Sequence, residues 1–249
     1  MTEFELAALC VLIFAAATLY TSVGHAGASG YIAAMAIVGL PSDVMKPTAL
    51  TLNILVAGLA TARWTDYGRS LAWKALLPLI AGSIPAAFFG GAYQLSAEHY
   101  RLLVGLILLA AALRFIWQPK SETDAGAIVT RVPWLAGLLT GAVVGLLSGL
   151  TGTGGGIFLT PMLLLFGWAG ARQASGLTAP FILLNSIAAL AGNYTAIRQL
   201  PGELPLFVAA AIAGAVLGTQ IGTRWISTQT LQRLLGVVLL IAAGKFLLT

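Results

Sequence analysis

Apolar residues run in ten blocks separated by short polar punctuation. The blocks lie at about 4–22, 28–40, 47–62, 72–93 and 98–117, then at about 132–150, 155–168, 174–196, 204–224 and 229–248. A helix needs roughly 20 residues to cross the hydrocarbon core of a bilayer. Eight of the ten blocks approach that length, and the second and seventh are shorter. Each short block follows a glycine cluster. The pattern predicts two partial helices, each completing its crossing with a broken or unwound stretch.

The stronger cluster is Ser148-Gly149-Leu150-Thr151-Gly152-Thr153-Gly154-Gly155-Gly156-Ile157, with Pro161 beyond it. A fainter copy runs from Thr21 to Tyr31 and contains Gly24, His25, Gly27, Ser29 and Gly30. Polar, helix-breaking sequence that occurs twice inside apolar runs needs a reason. Three consecutive glycines destabilise a helix by about 1 kcal/mol each. The expectation is two backbone breaks that face each other inside a membrane protein with an anion between them.

The two halves repeat. At an offset of 132, Asn53 meets Asn185, Gly82 meets Gly214, Gly90 meets Gly222, and Arg101-Leu102-Leu103 meets Arg233-Leu234-Leu235. Upstream the offset is 128, where Gly27 meets Gly155 and Gly39 meets Gly167. Five segments per half is an odd number, so the second half is expected to be inverted relative to the first. If all ten segments cross, nine cations fall on one side and four on the other: Lys46, Arg101, Arg198 and Lys245. Were segments two and seven re-entrant, the split would weaken to eight against five. Cations accumulate on the cytoplasmic side. Ten crossings therefore place both termini outside. The organisation expected is an N-terminal membrane repeat at 1–117, a polar cytoplasmic linker at 118–131, and a C-terminal membrane repeat at 132–249.

Composition closes off other classes. Hydrophobic residues make up 59% of the 249 positions and charged residues 8%, against roughly 25% charged in a soluble domain. The chain is therefore expected to be an all-α integral membrane protein, multi-pass in the cell (inner or plasma) membrane, with the lipid bilayer as its solvent. Net charge is +5, but the cations are spread over loops, so nucleic acid is not an expected partner. The acidic start, Met1-Thr2-Glu3-Phe4-Glu5, is unlike a cleavable signal, so the first segment is expected to be retained. A single cysteine, Cys10, permits no internal disulfide. A homodimer is compatible with the sequence, though no feature demands one.

Inverted repeats with interrupted helices are the plan of many secondary transporters, whose substrates sit where half-helix ends meet. The run Thr153, Gly154, Gly155, Gly156 can expose several backbone N–H groups, and the helix beyond points its positive end at a ligand. The alternative is close helix packing by small residues, which suits Gly137, Gly141 and Gly145. In the first break, His25 could donate to a substrate oxygen, carry a proton or bond a neighbouring carbonyl; Gly27 and Ser29 share that break. Asn53 and Asn185 lie deep in apolar sequence and need partners. They either support the opposite break or meet substrate. Thr51, Thr153 and Thr178 are weaker candidates, since threonine can bond back to its own helix, and Asn193, Tyr194 and Gln220 could line the path.

Some chemistry is missing from the sequence. No Asp or Glu lies in the middle of an apolar segment, so the carboxylate relays of proton-coupled carriers are not expected. There is no Walker motif, and one cysteine with two separated histidines makes no metal or redox centre. No catalytic residue, cofactor or metal is expected, and enzyme activity is not. A cell interior is negative, and each charge crossing about 100 mV gains or loses about 2.3 kcal/mol. Export of an anion is favoured by that field without a coupling ion. A passive anion channel and a non-transporting scaffold or assembly factor are the alternatives to a carrier.

The motif Gly152-Thr153-Gly154-Gly155-Gly156 with Pro161, and its degenerate copy at Gly24–Gly30, resembles the TauE/SafE family of sulfite and organosulfonate transporters, also called the toluene-sulfonate uptake permeases. The resemblance covers nearly the whole chain, with the paired glycines Gly82/Gly214 and Gly90/Gly222. It implies alternating-access transport of sulfite, sulfoacetate or another small organosulfonate. The first copy departs from the glycine-richer family pattern, so His25 and Ser29 are where substrate choice within the family would be tuned.

Overall fold

The computed structural model describes the chain except for residues 23, 67–72, 118–131, 170, 222–227 and 249. The expected linker 118–131, Gly222 of one glycine pair, and the side chains of Arg233, Leu234 and Leu235 lie outside the described residues. Among those described there are ten α-helices, a 3-10 helix and no strand. The helices are α1 (Glu3–Ser22), α2 (Ala28–Val38), α3 (Ser42–Asp66), α4 (Trp73–Ala92), α5 (Ala97–Trp117), α6 (Trp134–Thr151), α7 (Gly156–Leu165), α8 (Ala171–Gly192), α9 (Leu204–Ile221) and α10 (Thr228–Leu248), with the 3-10 helix at Tyr194–Gln199.

The two short helices are where the sequence puts them. α2 has 11 residues and α7 has 10, whereas the other eight have 18 to 25. Both start at a left-handed glycine, Gly27 at φ 106° and Gly155 at φ 82°. Both stop at another, Gly39 at φ 91° and Gly167 at φ 63°. The stop is a helix-end motif in which the chain turns back on its last carbonyls. Leu40 N bonds Met35 O at 3.0 Å, and Trp168 N bonds Leu163 O at 2.9 Å. These are the glycine pairs found at the offset of 128.

Several boundaries shift by a few residues from the sequence pattern, the start of the third block and the end of the eighth among them. The third block was set to begin at 47, but α3 begins at Ser42 and carries Pro47 inside. Pro47 is the sixth residue of α3, past the four unpaired N–H groups of the start, so it leaves Asp43 O without its helical donor. The eighth block was set to run to 196, but α8 ends at Gly192 and the chain tightens into the 3-10 helix.

The helices assemble as a bundle in which α4 packs on α6, α1 on α9, α5 on α10, and α8 on both α3 and α4. The closest approaches use small residues. Gly141 and Gly145 face the backbone of Leu79 and Ser83, Gly82 faces Leu138 O, and Gly214 faces Phe14 O. Without a hydrophobic drive between helices in lipid, backbone contact through small residues is what holds such pairs. The packing expectation for Gly141 and Gly145 is met. The outward faces carry exposed Val11, Phe89, Leu135, Leu139 and Val143, which water would penalise and lipid would not. Among the described residues four helices have the length and apolarity to cross a membrane, at Glu3–Ser22, Ser42–Arg63, Lys74–Ala92 and Trp134–Thr151.

Candidate functional site

The second glycine cluster becomes a break between α6 and α7. α6 ends at Thr151, where Gly152 is left-handed at φ 79° and its N–H bonds Ser148 O. Gly154 and Gly155 follow at φ 73° and φ 82°. Three such residues in four turn the chain sharply inside the bundle. The start of α7 has no side-chain cap, and Gly156 is buried. The start of α2 is built alike, with Gly27 uncapped and Ala28, Ser29 and Gly30 buried. A helix start leaves up to four N–H groups without intrahelical partners. Buried and uncapped, such a start favours a negatively charged ligand.

Side chains from other helices close around the second break. A Cβ on Gly154 would run into Asn53 Nδ2 and stand 2.8 Å from Ile182 Cγ2 and 3.1 Å from Ser186 Oγ. A Cβ on Gly155 would stand 3.0 Å from Phe181 Cε1 and 3.4 Å from Ser148 Cβ. One on Gly156 would meet Ile182 and, at 2.9 Å, Thr178 Cγ2. Asn53 of the first half therefore lies directly on the break of the second.

The two asparagines are fully buried and similarly occupied. Asn53 Nδ2 donates to Ser186 Oγ at 3.4 Å; Asn185 Nδ2 donates to Ser83 Oγ at 3.0 Å and to Phe181 O at 2.8 Å. A carbonyl only accepts, so the Phe181 bond fixes which end of the Asn185 amide is nitrogen. Both Oδ1 atoms are buried without a partner, and so is Ser148 Oγ. Each such atom costs about 1–3 kcal/mol if nothing meets it. Two of these residues, Asn53 and Ser148, stand against the glycines of the second break.

The first break reaches the second half through a hydroxyl chain. His25, buried, sits 3.0 Å from Thr160 Oγ1 on α7 through Nε2. Thr160 Oγ1 is 3.0 Å from Thr178 Oγ1 on α8, and Thr178 donates to Ala174 O at 2.7 Å. Other expected residues serve their own half. Ser29 is engaged with Tyr20 at 2.5 Å, Thr153 with Thr151 at 2.9 Å, and Gly27 lies under the ring of Tyr31. Of the candidates, Asn53 and Gly154 meet, Thr178 lies by Gly156, and His25 reaches Thr178 through Thr160. Asn185 meets Ser83 and Phe181 rather than the first break.

Sequence reading missed Ser83, Ser148, Thr160 and Ser186. Ser83 is a lone hydroxyl in an apolar run, Ser186 follows Asn185, and Ser148 and Thr160 flank the glycine cluster; nothing in one sequence separates any of them from a residue bonding its own helix. Replacing Thr160 by Val keeps the shape and removes the link to His25. The expected result is a loss of about 1–3 kcal/mol, read as a lower melting temperature in detergent. An unchanged melt would mean the link contributes nothing.

Comparison with known proteins follows the same line. The model of the family described as sulfite exporter TauE/SafE matches residues 9–246. A probable membrane transporter protein, y4hK, of Sinorhizobium fredii (strain NBRC 101917 / NGR234) is 38% identical over 246 residues, covering 98% of this chain and 99% of its own. No solved structure matches.

Proposed function

We infer, from the premise that this chain belongs to the sulfite exporter TauE/SafE family, how a membrane transporter of this build handles its solute. The proposed reading is an alternating-access carrier for small sulfur-containing anions such as sulfite or an organosulfonate. It binds them at the break between α6 and α7 and moves them outward. The supporting observation is the buried, uncapped start of α7 beside two unpartnered polar atoms, Asn53 Oδ1 and Ser148 Oγ, whose residues stand against Gly154 and Gly155. The helix start suits the anionic head, whose oxygens only accept.

An amide oxygen adds a refinement. At the break, Asn53 Oδ1 has no partner, so that oxygen needs a ligand that brings a donor. Hydrogensulfite, with its acid hydrogen, or a sulfonate carrying a hydroxyl or ammonium satisfies that oxygen. Sulfate and methanesulfonate do not. A mismatch that leaves a buried acceptor unmet is worth on the order of 1–3 kcal/mol.

The two-half reading is supported by the packing. Exchanging α1–α5 with α6–α10 turns α4–α6 contact into α9–α1 contact and returns α5–α10 and α3–α8 to themselves. The left-handed glycines that bound α2 and α7 match in the same way. Such an arrangement lets one half rock against the other about the breaks.

The test is counterflow in proteoliposomes. Vesicles loaded with unlabelled 2-hydroxyethanesulfonate should accumulate the labelled compound transiently, and ethanesulfonate should compete about tenfold or more less well. Net flux should increase when the vesicle interior is made negative and the anion starts inside. Flux without counterflow would identify a channel. Flux indifferent to voltage would remove the argument for export, and equal competition by the two sulfonates would remove the role given to the amide oxygen.

A further inference from the structure

At the α2–α3 and α4–α5 ends of the bundle, a cavity of about 90 Å³ opens between Ser42, Asp43, Lys46, Tyr100, Leu150 and Asn193. One water needs roughly 10–15 Å³ measured the same way, so there is room for a sulfonate head. Two of its lining residues are unusual. Lys46 is only 7% exposed and Asn193 only 5%.

Lys46 reaches across to the end of α4, where its ammonium donates to Gly90 O at 3.2 Å, Gly91 O at 3.0 Å and Tyr93 O at 3.2 Å. Capping a helix end satisfies its three hydrogens and places it at the favourable pole of the α4 dipole. Capping does not neutralise the charge, and no ion pair to Lys46 forms among the described residues. The cavity has one acidic side chain, Asp43, and that residue is exposed at the rim. Burying an unpaired ammonium is costly. Lys46 is also one of the four cations that the charge bias assigns to the outer side, where loops need none for topology. Asn193 adds an independent sign: its amide borders the cavity with no hydrogen bond to the described residues.

The cavity also adjoins the break. A Cβ on Gly152 would stand 3.1 Å from Lys46 Cγ, and Tyr100 Oη donates to Thr151 O at 3.1 Å. A solute in the cavity is therefore next to the last turn of α6.

We propose that the cavity between Lys46 and Asn193 is a second anion site, an outer waiting position where the buried ammonium holds a sulfonate or hydrogensulfite beside the α6–α7 break. The name outer rests on the topology above, and the link to transport rests on the carrier reading; binding at the cavity rests on neither. The Asn193 amide donates to the solute oxygens and Lys46 acts through its charge. Asp43 at the rim opposes doubly charged anions.

The experiment uses full-length protein with Cys10→Ser and Ser42→Cys, which puts one thiol in the cavity wall. Its modification rate is measured with a sulfonatoethyl and a trimethylammonioethyl methanethiosulfonate, reagents of opposite charge and similar size. The anionic reagent should react about tenfold or more faster than the cationic one, and methanesulfonate should slow it. Lys46→Gln should bring the two rates together. Because that variant also removes a cap, Asn193→Leu serves as the second: the charge preference should persist while methanesulfonate protection is lost. Equal rates for both reagents with Lys46 present, or no protection by methanesulfonate, would overturn the proposal. Normal counterflow with equal reagent rates would reject the cavity and leave the carrier standing. Absent counterflow with a strong anionic preference would do the reverse.

Discussion

Gly154→Ala is expected to abolish transport while leaving a folded protein. Two effects act at that position. A φ of 73° is left-handed, which costs an L residue about 1–2 kcal/mol. The new methyl would also collide with Asn53 Nδ2 and press on Ile182 and Ser186. The first effect is backbone strain and the second is loss of the site's shape. Gly39→Ala separates them, since Gly39 is also left-handed, at φ 91°, with nothing within 4 Å of its Cβ position. Both variants should melt a few degrees below the parent. Only Gly154→Ala should lose counterflow, by about a hundredfold or more, because the new methyl displaces Asn53 with its free amide oxygen and fills the space beside the helix start. If both variants transport alike, Gly154 is there for the turn alone and the site is elsewhere.

The helix plan was open to sequence reading because a bilayer imposes so few choices. Every crossing must satisfy its own backbone, so long apolar blocks can only be helices. The two short blocks were equally legible, because Gly27, Gly39, Gly155 and Gly167 each sit where the chain needs a left-handed residue, and glycine accepts that without strain. The boundary at Pro47 was misread because a proline marks a helix start or a kink with equal ease.

The site was legible only in part. Asn53 and Asn185 stood out because an amide is conspicuous in apolar sequence, and the structure buries both completely. Their partners were not legible. Ser83, Ser148 and Ser186 look like ordinary small residues until three dimensions set them against an asparagine or a glycine. Asn185 was expected either to support the opposite break or to meet substrate; Ser83 and Phe181 hold its nitrogen and leave its oxygen. Ser29 was expected on the substrate, but it is engaged by Tyr20 within its own half. Lys46 was counted only as a topology charge. Its burial follows from the end of α4 coming to rest above it, a tertiary fact without a local sequence signal.

The largest loss of folded protein is expected from Gly82→Val, with its counterpart Gly214→Val close behind. Both glycines bring one helix against the backbone of another. A Cβ on Gly82 would overlap Leu138 O and stand 2.9 Å from Ala142 N; one on Gly214 would overlap Phe14 O and stand 2.9 Å from Ala17 Cβ. A carbonyl oxygen fixed in a helix cannot move aside, so α4 must separate from α6, or α9 from α1. Helix association in lipid depends on that close packing, and overpacking a tight interface costs about 3 kcal/mol or more when no side chain can yield. Gly105→Val is the comparison. Its Cβ would press 2.7 Å from Leu247 Cδ2, the far end of a flexible side chain. That variant should be partly rescued by Leu247→Ala, whereas no truncation on α6 should rescue Gly82→Val, because the obstacle there is main chain. Size-exclusion profiles of fluorescently tagged protein read the outcome. A monodisperse peak for Gly82→Val would mean that α4 and α6 tolerate a wider spacing, and with it that the proposed rocking of the two halves has no rigid α4–α6 and α9–α1 pair to turn on.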